Sequence, residues 1–329
     1  MAHKKTTLLI LTPYFPLDET DSTCLPAQQA MVRALKKKFP FVQFIILAFE
    51  YPFTGIPYRW SGNQVIPFNN RNRSTWHRLH TWFNVWMTLR KLCKENEVMG
   101  IFSFRHGECA LIGKYFSLIH RLRHYNWILG QDAGEDNPYA AFIKPRPDEL
   151  LAISESVSDS FYIHHSIKPR YILPAGIDPN LFPYRGVCRD IDLLGLGVPA
   201  SRSQYRVWTQ VTDILSIRRP DLRIKLCGRM PHQELLDHLQ RTRIFLHASA
   251  YEGFSTTCLE ALYAGAHVIS FYSPQHQLLD HWHIARTPEE MAEAILEILG
   301  DPYTEYNPVL SYSMDDNAAT VMKLFQGEA

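Results

Sequence analysis

The chain alternates between short, continuously apolar runs and longer stretches in which apolar residues recur at helical spacing. Residues 7–12 (TLLILT), 41–49 and 98–104 are apolar runs of strand length, whereas residues 27–38 have their apolar side chains on one face of a helix. Continuously apolar strands are typical of parallel sheets, because helices cover both faces of such sheets. The first half is therefore predicted to form a doubly wound α/β domain. The same pattern predicts a helix at 110–122 and strands at 127–129 and 150–154.

The second half of the chain repeats this alternation, and the length of the chain supports a second domain. A chain of 329 residues is long enough for two domains of roughly 150 residues each. No G-x-G-x-x-G sequence follows the first strand, which argues against a dinucleotide-dependent dehydrogenase. Predicted strands lie at 190–197, 223–227, 243–247 and 267–271, and predicted helices at 233–240, 288–299 and 314–325.

Residues 71–91 form a basic, tryptophan-rich amphipathic pattern. Trp76, Leu79, Phe83 and Trp86 recur at helical spacing, and arginine and lysine residues supply the polar face. Such a helix either packs its apolar face on the core or lies on an anionic membrane surface. Core packing is the favoured interpretation, and peripheral membrane contact through 71–91 is the alternative.

Composition and charge narrow the class of protein. A hydrophobic content of 46% and a charged content of 20% are ordinary for a globular protein, and a net charge of +1 gives no sign of nucleic-acid binding. Residues 1–172 carry 21 Lys and Arg against 14 Asp and Glu, whereas the remainder carries 13 against 19. The basic half suits an anionic acceptor or a membrane surface.

Cysteine usage and the absence of long apolar stretches bear on location. Six scattered cysteines without a C-x-x-C pair favour a reducing compartment and argue against a metal cluster. The apolar run near the start is too short for a signal peptide, and no stretch of 18 apolar residues occurs. A cytoplasmic location is expected, with peripheral contact at the inner membrane face as its extension.

The most informative stretch is 249–271 (SAYEGFSTTCLEALYAGAHVISF), which reads as loop, helix and buried strand. Glu252 and Glu260 stand eight positions apart, with small and hydroxylated residues between them where a helix should begin. Thr256 or Thr257 is predicted to be the N-cap. A helix N-terminus suits a phosphate, because its N–H groups are unpaired and its dipole end is positive. Two flanking carboxylates suit hydroxyls on both sides of that phosphate, as in a nucleotide sugar.

This stretch resembles the Glu-x7-Glu signature of retaining glycosyltransferases with the GT-B fold, the "glycosyl transferases group 1" family. The family form is roughly S-x-x-E-G-F-G-x-x-x-x-E-A-x-A-x-G-x-P-V-I, and here Ser255 replaces the second glycine and His267 the proline. The resemblance implies two Rossmann-like, doubly wound domains that face a cleft. It also implies that Glu260 binds the ribose, that Glu252 reaches the sugar hydroxyls, and that the backbone amides of Gly253, Phe254, Ser255, Thr256 and Thr257 hold the phosphate.

Two loops of the first half also resemble family loops that line the cleft. His106 follows the strand at 98–104, in the neighbourhood of a family histidine whose own position is taken by Arg105. Asp132 follows the strand at 127–129 and matches the aspartate of the family's H-G-x-D loop, although Leu129 replaces its histidine. Both are candidate catalytic residues. The alternatives are an exposed loop histidine and a carboxylate that caps a turn.

The second half departs from the family pattern in its phosphate clamp and its length. Gly197 matches the glycine of the family's phosphate loop, but Val198 and Ser203 replace the arginine and lysine. Arg202 or Arg229 could substitute, because a guanidinium binds phosphate bidentately. About 25 residues, one helix–strand unit, are missing from the second domain relative to the family. The predicted domains are 1–172, 173–305 and a C-terminal helix at 306–329 that crosses back to the first domain in the family.

The resemblance implies a glycosyltransferase that moves a sugar, with retention, from a UDP- or GDP-sugar to a glycan, lipid-linked or other acceptor. Polysaccharide biosynthesis would be its setting, and no cofactor beyond the nucleotide sugar is expected. The family needs no bound metal, and the chain has no D-x-D sequence at a plausible loop. The losses in the phosphate clamp leave a catalytically inactive glycan- or partner-binding protein as the alternative. A sugar-nucleotide epimerase of the same fold would need acid and base residues that the sequence does not reveal.

Overall fold

The structure is a computed structural model that describes residues 4–21, 24–70, 75–182, 188–197, 202–249, 255–273 and 279–328, with the backbone alone for Thr75 and Arg202. The chain divides into two compact units. The N-terminal unit comprises Met1–Gly176 and Met314–Ala329, and the C-terminal unit comprises Ile177–Ser313. The observed divisions therefore fall at 176/177 and 313/314, against the predicted 172/173 and 305/306.

The N-terminal unit contains a parallel sheet with one antiparallel edge strand. The strand order in the described residues is β3-β4-β2-β1-β5-β6-β7-β8, and β3 alone runs antiparallel to its neighbour. This is the order of a doubly wound sheet, which reverses direction between β1 and β5. Its elements are β1 (Thr6–Tyr14), α1 (Pro26–Lys38), β2 (Gln43–Tyr51), β3 (Tyr58–Trp60), β4 (Asn63–Pro67), α2 (Thr75–Glu95), β5 (Glu97–Phe104), α3 (Glu108–His120), β6 (Arg123–Ile128), α4 (Tyr139–Ile143), β7 (Leu150–Ala152), α5 (Glu155–His165) and β8 (Tyr171–Ile172).

The C-terminal unit contains a second, wholly parallel sheet. Five strands in its described residues follow the order β10-β9-β11-β12-β13, which reverses between β9 and β11. The chain passes from β10 through one helix, α7, to β11, as predicted for a domain shortened by one helix–strand unit. Its elements are β9 (Ile191–Leu196), α6 (Arg202–Arg218), β10 (Ile224–Cys227), α7 (His232–Gln240), β11 (Thr242–His247), α8 (Thr256–Tyr263), β12 (His267–Ser270), β13 (Trp282–Ile284) and α9 (Pro288–Gly300).

Helices cover both faces of the second sheet, which explains its continuously apolar strands. Leu194 and Phe245 pack with residues of α7 and α8 on one face, whereas Leu193 and Ile244 pack with residues of α6 and α9 on the other. Neighbouring residues of β9 thus point to opposite, equally apolar layers. The sequence pattern had not predicted α6 or the edge strand β13.

The last helix, α10 (Met314–Gln326), belongs to the N-terminal unit and packs against α1. Its Phe325 lies directly over Gly100 of β5, where a Cβ would meet the Phe325 ring at 2.5 Å. The Arg123 guanidinium donates to the carbonyls of Leu324 and Phe325 at the end of the helix, and Asn317 Nδ2 donates to the Pro174 carbonyl at 2.6 Å. These contacts need a glycine in β5 and a cation at the helix C-terminus.

Helix α2 turns a different face to the core from the predicted one. Val85 and Leu89 are fully buried under the sheet, whereas Trp76, Leu79 and Phe83 are exposed. Trp86, the fourth side chain of the predicted apolar face, does pack against the core. The prediction of core packing is therefore confirmed for Trp86 and wrong for the three exposed side chains. The helix has apolar residues on two sides, and the side with Val85 and Leu89 fits against β2 and β5.

Candidate functional site

The C-terminal unit places two predicted donor-site residues at adjacent strand ends. Ligands of open α/β sheets bind outside the carboxyl ends of the strands, where the strand order reverses. Gly197 directly follows β9, and its amide donates to the Cys227 carbonyl at 2.8 Å, at the end of the neighbouring β10. Arg229 lies two residues beyond β10 and is exposed. A glycine and a cation thus flank the edge at which a phosphate would bind.

Helix α8 begins at the same edge, after β11. Its N-cap is Ser255, whose backbone is extended (φ −95°, ψ 109°). The prediction that Thr256 or Thr257 is the N-cap is wrong by one or two residues, because both already lie in the first turn of the helix. All three side chains are half-buried, and the N–H groups of Thr256 and Thr257 lack helical acceptors. The predicted Glu252, Gly253 and Phe254 lie outside the described residues.

Gly265 fixes the passage from α8 into β12. Its φ is +81°, and a Cβ there would lie 2.3 Å from the Tyr306 carbonyl oxygen. The Arg189 guanidinium donates to the Ala264 carbonyl at 2.7 Å, next to the helix end. A left-handed residue in so tight a place has to be glycine, so the end of α8 is held in place from both sides.

Glu260 is the best-defined element of the candidate donor site. It lies in the second turn of α8, and its side chain is buried instead of facing solvent. Its Oε1 accepts a hydrogen bond from Nε2 of His232 at 2.7 Å. Among the described residues none donates a hydrogen bond to Oε2, which can therefore accept from ligand hydroxyls.

The sequence pattern gave no indication of a role for His232, the first residue of α7. The residue follows Pro231, and no spacing rule connects it with Glu260, which lies 28 positions further along the chain. The two residues meet because α7 and α8 pack on the same face of the sheet. A second missed histidine, His247, ends β11 at this edge, where burial lowers its pKa to about 4 and keeps the imidazole neutral.

The cationic side of the site remains sparse. Val198 lies outside the described residues, and Ser203 lies near the start of α6. Arg202 is the first residue of that helix, but its side chain is outside the described part of the structure. Arg229 is therefore the predicted phosphate partner for which the structure gives a side-chain environment.

In the N-terminal unit, Asp132 serves the local structure. Its Oδ2 accepts from the Leu129 amide at 2.9 Å, and its Oδ1 accepts from Nε of Arg105, also at 2.9 Å. The side chain is buried. The geometry is that of a carboxylate that caps a turn and holds Arg105, the alternative considered for it, and its assignment to catalysis stays a prediction.

His106 is buried beneath the edge of the sheet. Asn126 Nδ2 donates to the carbonyls of Ser103 and Arg105, so its Oδ1 must accept from Nδ1–H of His106, at 2.5 Å. This bond places the lone pair of the imidazole on Nε2, which is buried and has no partner among the described residues. Burial lowers the pKa of His106. The alternative of an exposed loop histidine is wrong, and a catalytic role stays a prediction.

Three residues that the sequence analysis did not select lie at the carboxyl edge of the first sheet. Tyr14 ends β1, and its hydroxyl donates to Oε2 of Glu50, at the end of β2, at 3.1 Å. Burial raises the pKa of Glu50 and of Tyr14. Arg105, directly after β5, has a φ of +75°, and such strained non-glycine backbone is concentrated at functional sites.

Glu108, the first residue of α3, ties this edge to helices α2 and α4. Its Oε1 accepts from Nε of Arg78 at 2.6 Å and from the Tyr139 hydroxyl at 3.2 Å, and its Oε2 accepts from Nε1 of Trp82 at 2.8 Å. A carboxylate with three donors rigidly positions the start of α2.

Within the described residues, no group of three or more His, Cys, Asp or Glu side chains is arranged to hold a metal ion.

Comparisons with known proteins agree with this architecture. Residues 205–301 match the sequence model of the family "Glycosyl transferases group 1", and no curated protein sequence matches the chain. UDP-GlcNAc 2-epimerase from Neisseria meningitidis, bound to UDP-GlcNAc, is similar in structure with a TM-score of 0.61 at 8% identity, over 98% of this chain and 100% of that one. Sucrose-phosphate synthase from Thermosynechococcus elongatus has a TM-score of 0.60 at 13% identity, over 98% and 97%.

A third similar structure is UDP-GlcNAc 2-epimerase from Methanocaldococcus jannaschii in complex with UDP-GlcNAc and UDP, with a TM-score of 0.53 at 10% identity, over 98% of this chain and 99% of that one. The fold is the glycosyltransferase-like GT-B fold, as the sequence predicted. The family match lies within the C-terminal unit, which carries Arg229, His232 and Glu260.

Proposed function

We propose that the protein is a glycosyltransferase that moves a sugar from a nucleoside-diphosphate sugar to a glycan or lipid-linked acceptor with retention of anomeric configuration. The observation that carries this proposal is the Glu260 carboxylate, buried one turn into a helix that starts at the carboxyl edge of the second sheet. A carboxylate next to unpaired helical N–H groups suits a ribose next to a phosphate. The family match over 205–301 supports this assignment.

The proposed reaction requires this site to stabilise the leaving diphosphate. Negative charge develops on that group as the glycosidic bond to it breaks, and preorganised N–H groups and cations lower the energy of that state. The first turn of α8 supplies the N–H groups, and Arg229 supplies an exposed cation at the adjacent strand end. Glu260 holds the ribose, and Glu252 is assigned to the sugar hydroxyls by resemblance.

The acceptor is proposed to bind at the carboxyl edge of the N-terminal unit. Tyr14 and Glu50 form a hydrogen-bonded pair there, beside the strained Arg105. A phenol, a carboxyl group and a guanidinium are suitable partners for the hydroxyls of a glycan. His106 and Asp132 lie behind this edge and would support it through Asn126 and Arg105.

The test begins with binding and then measures turnover. Thermal shift and calorimetry against UDP, GDP and ADP should show stabilisation by one of them, and UDP comes first because similar structures hold UDP or UDP-GlcNAc. Glu260→Ala should weaken that binding at least about tenfold, whereas Glu289→Ala, an exposed glutamate of α9, should leave it unchanged. If none of the nucleotides stabilises the protein, the assignment of the donor site is overturned.

Turnover separates the transferase from the inactive binding protein. With the nucleotide identified, a panel of its sugars and oligosaccharide or lipid-linked acceptors should give a product whose anomeric proton coupling matches that of the donor. Binding without transfer or donor hydrolysis would instead favour a binding protein, the alternative motivated by the loss of the family's arginine and lysine at Val198 and Ser203.

Epimerisation of a nucleotide sugar is the second candidate. Its support is the similarity to UDP-GlcNAc 2-epimerases over 98% of this chain. Incubation with UDP-GlcNAc alone, followed by proton NMR, distinguishes the two functions, because an epimerase converts the sugar without an acceptor. Conversion under these conditions would replace the transferase proposal.

A further inference from the structure

Helix α2 carries an exposed apolar stripe that the fold leaves uncovered. Trp76, Leu79, Phe83 and Met87 are 81%, 47%, 61% and 45% exposed, and we call them the α2 stripe. At 100° per residue they lie within about 80° of arc. Large exposed apolar patches on globular proteins commonly mark sites of interaction with a protein or a membrane.

The neighbouring helices extend this surface. α3 packs against both α2 and α4, and it exposes Tyr115, Leu118 and Ile119. On α4, Phe142 is exposed, and its carbonyl accepts a hydrogen bond from the Tyr115 hydroxyl at 2.9 Å. Three adjacent helices on one face of the sheet thus present apolar side chains to solvent.

The charges on α2 indicate which partner this surface fits. Arg90 and Lys94 continue the stripe at the C-terminal end of the helix, with Lys91 beside them, and all three are exposed. Between Thr75 and Glu95 the helix contains a single acidic residue, Glu95 itself, which lies 3.9 Å from Lys91. A stripe of tryptophan, phenylalanine and leucine that ends in cations is complementary to an anionic lipid surface.

The start of α2 also lies at the carboxyl edge of the first sheet. Arg78, two residues after Trp76, is hydrogen-bonded to Glu108, which follows β5 at that edge. A lipid surface in contact with the α2 stripe would therefore lie near the edge that carries Tyr14 and Glu50. Of the helices described here, none is long and apolar enough to cross a bilayer, and α2 would lie along the interface.

We infer that the protein docks on anionic membranes through the α2 stripe and its terminal cations, whether or not it is a transferase. Trp76 and Phe83 enter the boundary between headgroups and acyl chains, and Arg90, Lys91 and Lys94 contact anionic headgroups. If the proposed transferase function also holds, docking brings lipid-linked acceptors to the edge of the N-terminal unit.

The experiment is sedimentation of the full chain with vesicles. The wild type should pellet at low salt with phosphatidylcholine vesicles that contain about 30 mol% phosphatidylglycerol, and much less with phosphatidylcholine alone. Salt at roughly 0.5 M should release most of the protein, because it screens the cations. Trp76→Ser combined with Phe83→Ser should lower the partition coefficient at least about tenfold.

Charge variants and a matched control complete the test. Changing Arg90, Lys91 and Lys94 to glutamine should lower binding about fivefold for each cation removed. Phe41→Ser, at a phenylalanine that is 96% exposed between α1 and β2, should bind like the wild type. All variants should keep the wild-type melting temperature, since the altered side chains are exposed.

Three outcomes would overturn the inference. The wild type could stay in the supernatant with anionic vesicles at low salt, or the stripe variant could bind as tightly as the wild type. Alternatively, light scattering could show that the wild type forms a dimer that Trp76→Ser and Phe83→Ser abolish while vesicle binding persists. In that last case the stripe is an interface between two copies of the chain.

Discussion

The hydrogen bond between His232 and Glu260 gives the sharpest test of the candidate donor site. The Nε2–Oε1 distance is 2.7 Å, and the side chains are 14% and 11% exposed. The bond thus lies in a partly desolvated place and fixes the carboxylate from one side. We predict that His232→Ala leaves the fold intact but lets Glu260 rotate away from the position that a ribose requires.

The size of the effect follows from the kind of bond. Hydrogen bonds to charged groups contribute about 1.5–3 kcal/mol, and each 1.4 kcal/mol is tenfold in Kd. Part of the loss will appear as lower stability of the C-terminal unit, because the bond is already present in the free protein. We therefore expect the Kd for the nucleotide to rise about tenfold in His232→Ala.

The assay is isothermal titration calorimetry with two ligands, UDP and its 2′,3′-dideoxy analogue. If Glu260 holds the ribose hydroxyls, the wild type should prefer UDP, and the preference should shrink towards unity in both His232→Ala and Glu260→Ala. His238→Ala is the matched control, since this histidine lies on the same helix, 3.0 Å from Nζ of Lys225, and should keep the preference.

Two results would refute this reasoning. His232→Ala could bind UDP with the wild-type Kd, which would mean that Glu260 is positioned without the histidine. It could also lose UDP and the dideoxy analogue equally, which would mean that His232 acts on the phosphate or the base. A wild type that binds no nucleotide would instead refute the donor site as a whole.

Three further predictions concern buried or half-buried titratable groups, and differential scanning fluorimetry measures each of them. Lys114→Met removes the cation whose Nζ lies 2.5 Å from both Glu149 oxygens. We expect the free energy of unfolding to fall by about 3 kcal/mol and the Tm by roughly 6–12 °C, and we expect the Tm to recover when Glu149→Leu is added. Burial lowers the pKa of His267 from 6.5 to about 4, so the unfolded chain binds the proton more tightly, and stability present above pH 6.5 is lost as the pH falls towards 4. His267→Asn should therefore show a shallower fall in Tm over that window, and an unchanged slope would contradict the assignment. Burial raises the pKa of Glu50 above 4.5, so the stability that Glu50 contributes is present below pH 4.5 and is lost as the pH rises through its folded-state pKa. Glu50→Gln should therefore raise the Tm at neutral pH and leave it unchanged in acid.

The alternation of apolar runs was sufficient to predict the doubly wound fold. β1, β2 and β5 are apolar on both faces because helices cover both sides of the sheet, and this burial leaves a continuous signal in the sequence. α6 was missed although Trp208, Val211 and Leu215 are buried at helical spacing. The helical periodicity of α6 is thus present in the sequence itself.

The candidate site was predictable where it depends on local chain geometry. Glu260 and the helix start at Thr256 are close in sequence, so spacing alone placed the carboxylate one turn into a helix whose start suits an anion. The role of Asp132 was not predictable in this way. Its neighbours decide whether it faces a ligand or, as here, caps a turn and holds Arg105.

The sequence by itself predicted the doubly wound alternation of strands and helices, apart from α6 and β13, because periodicity reports how much of each segment is buried. The GT-B fold was predicted by the resemblance of residues 249–271 to a family signature. Only the tertiary structure decided which side of α2 faces the sheet, since the helix is apolar on two sides and packing selects one of them. It also joined His232 to Glu260 across 28 positions. Contacts between distant segments depend on how helices pack over a sheet, and local pattern does not encode that packing.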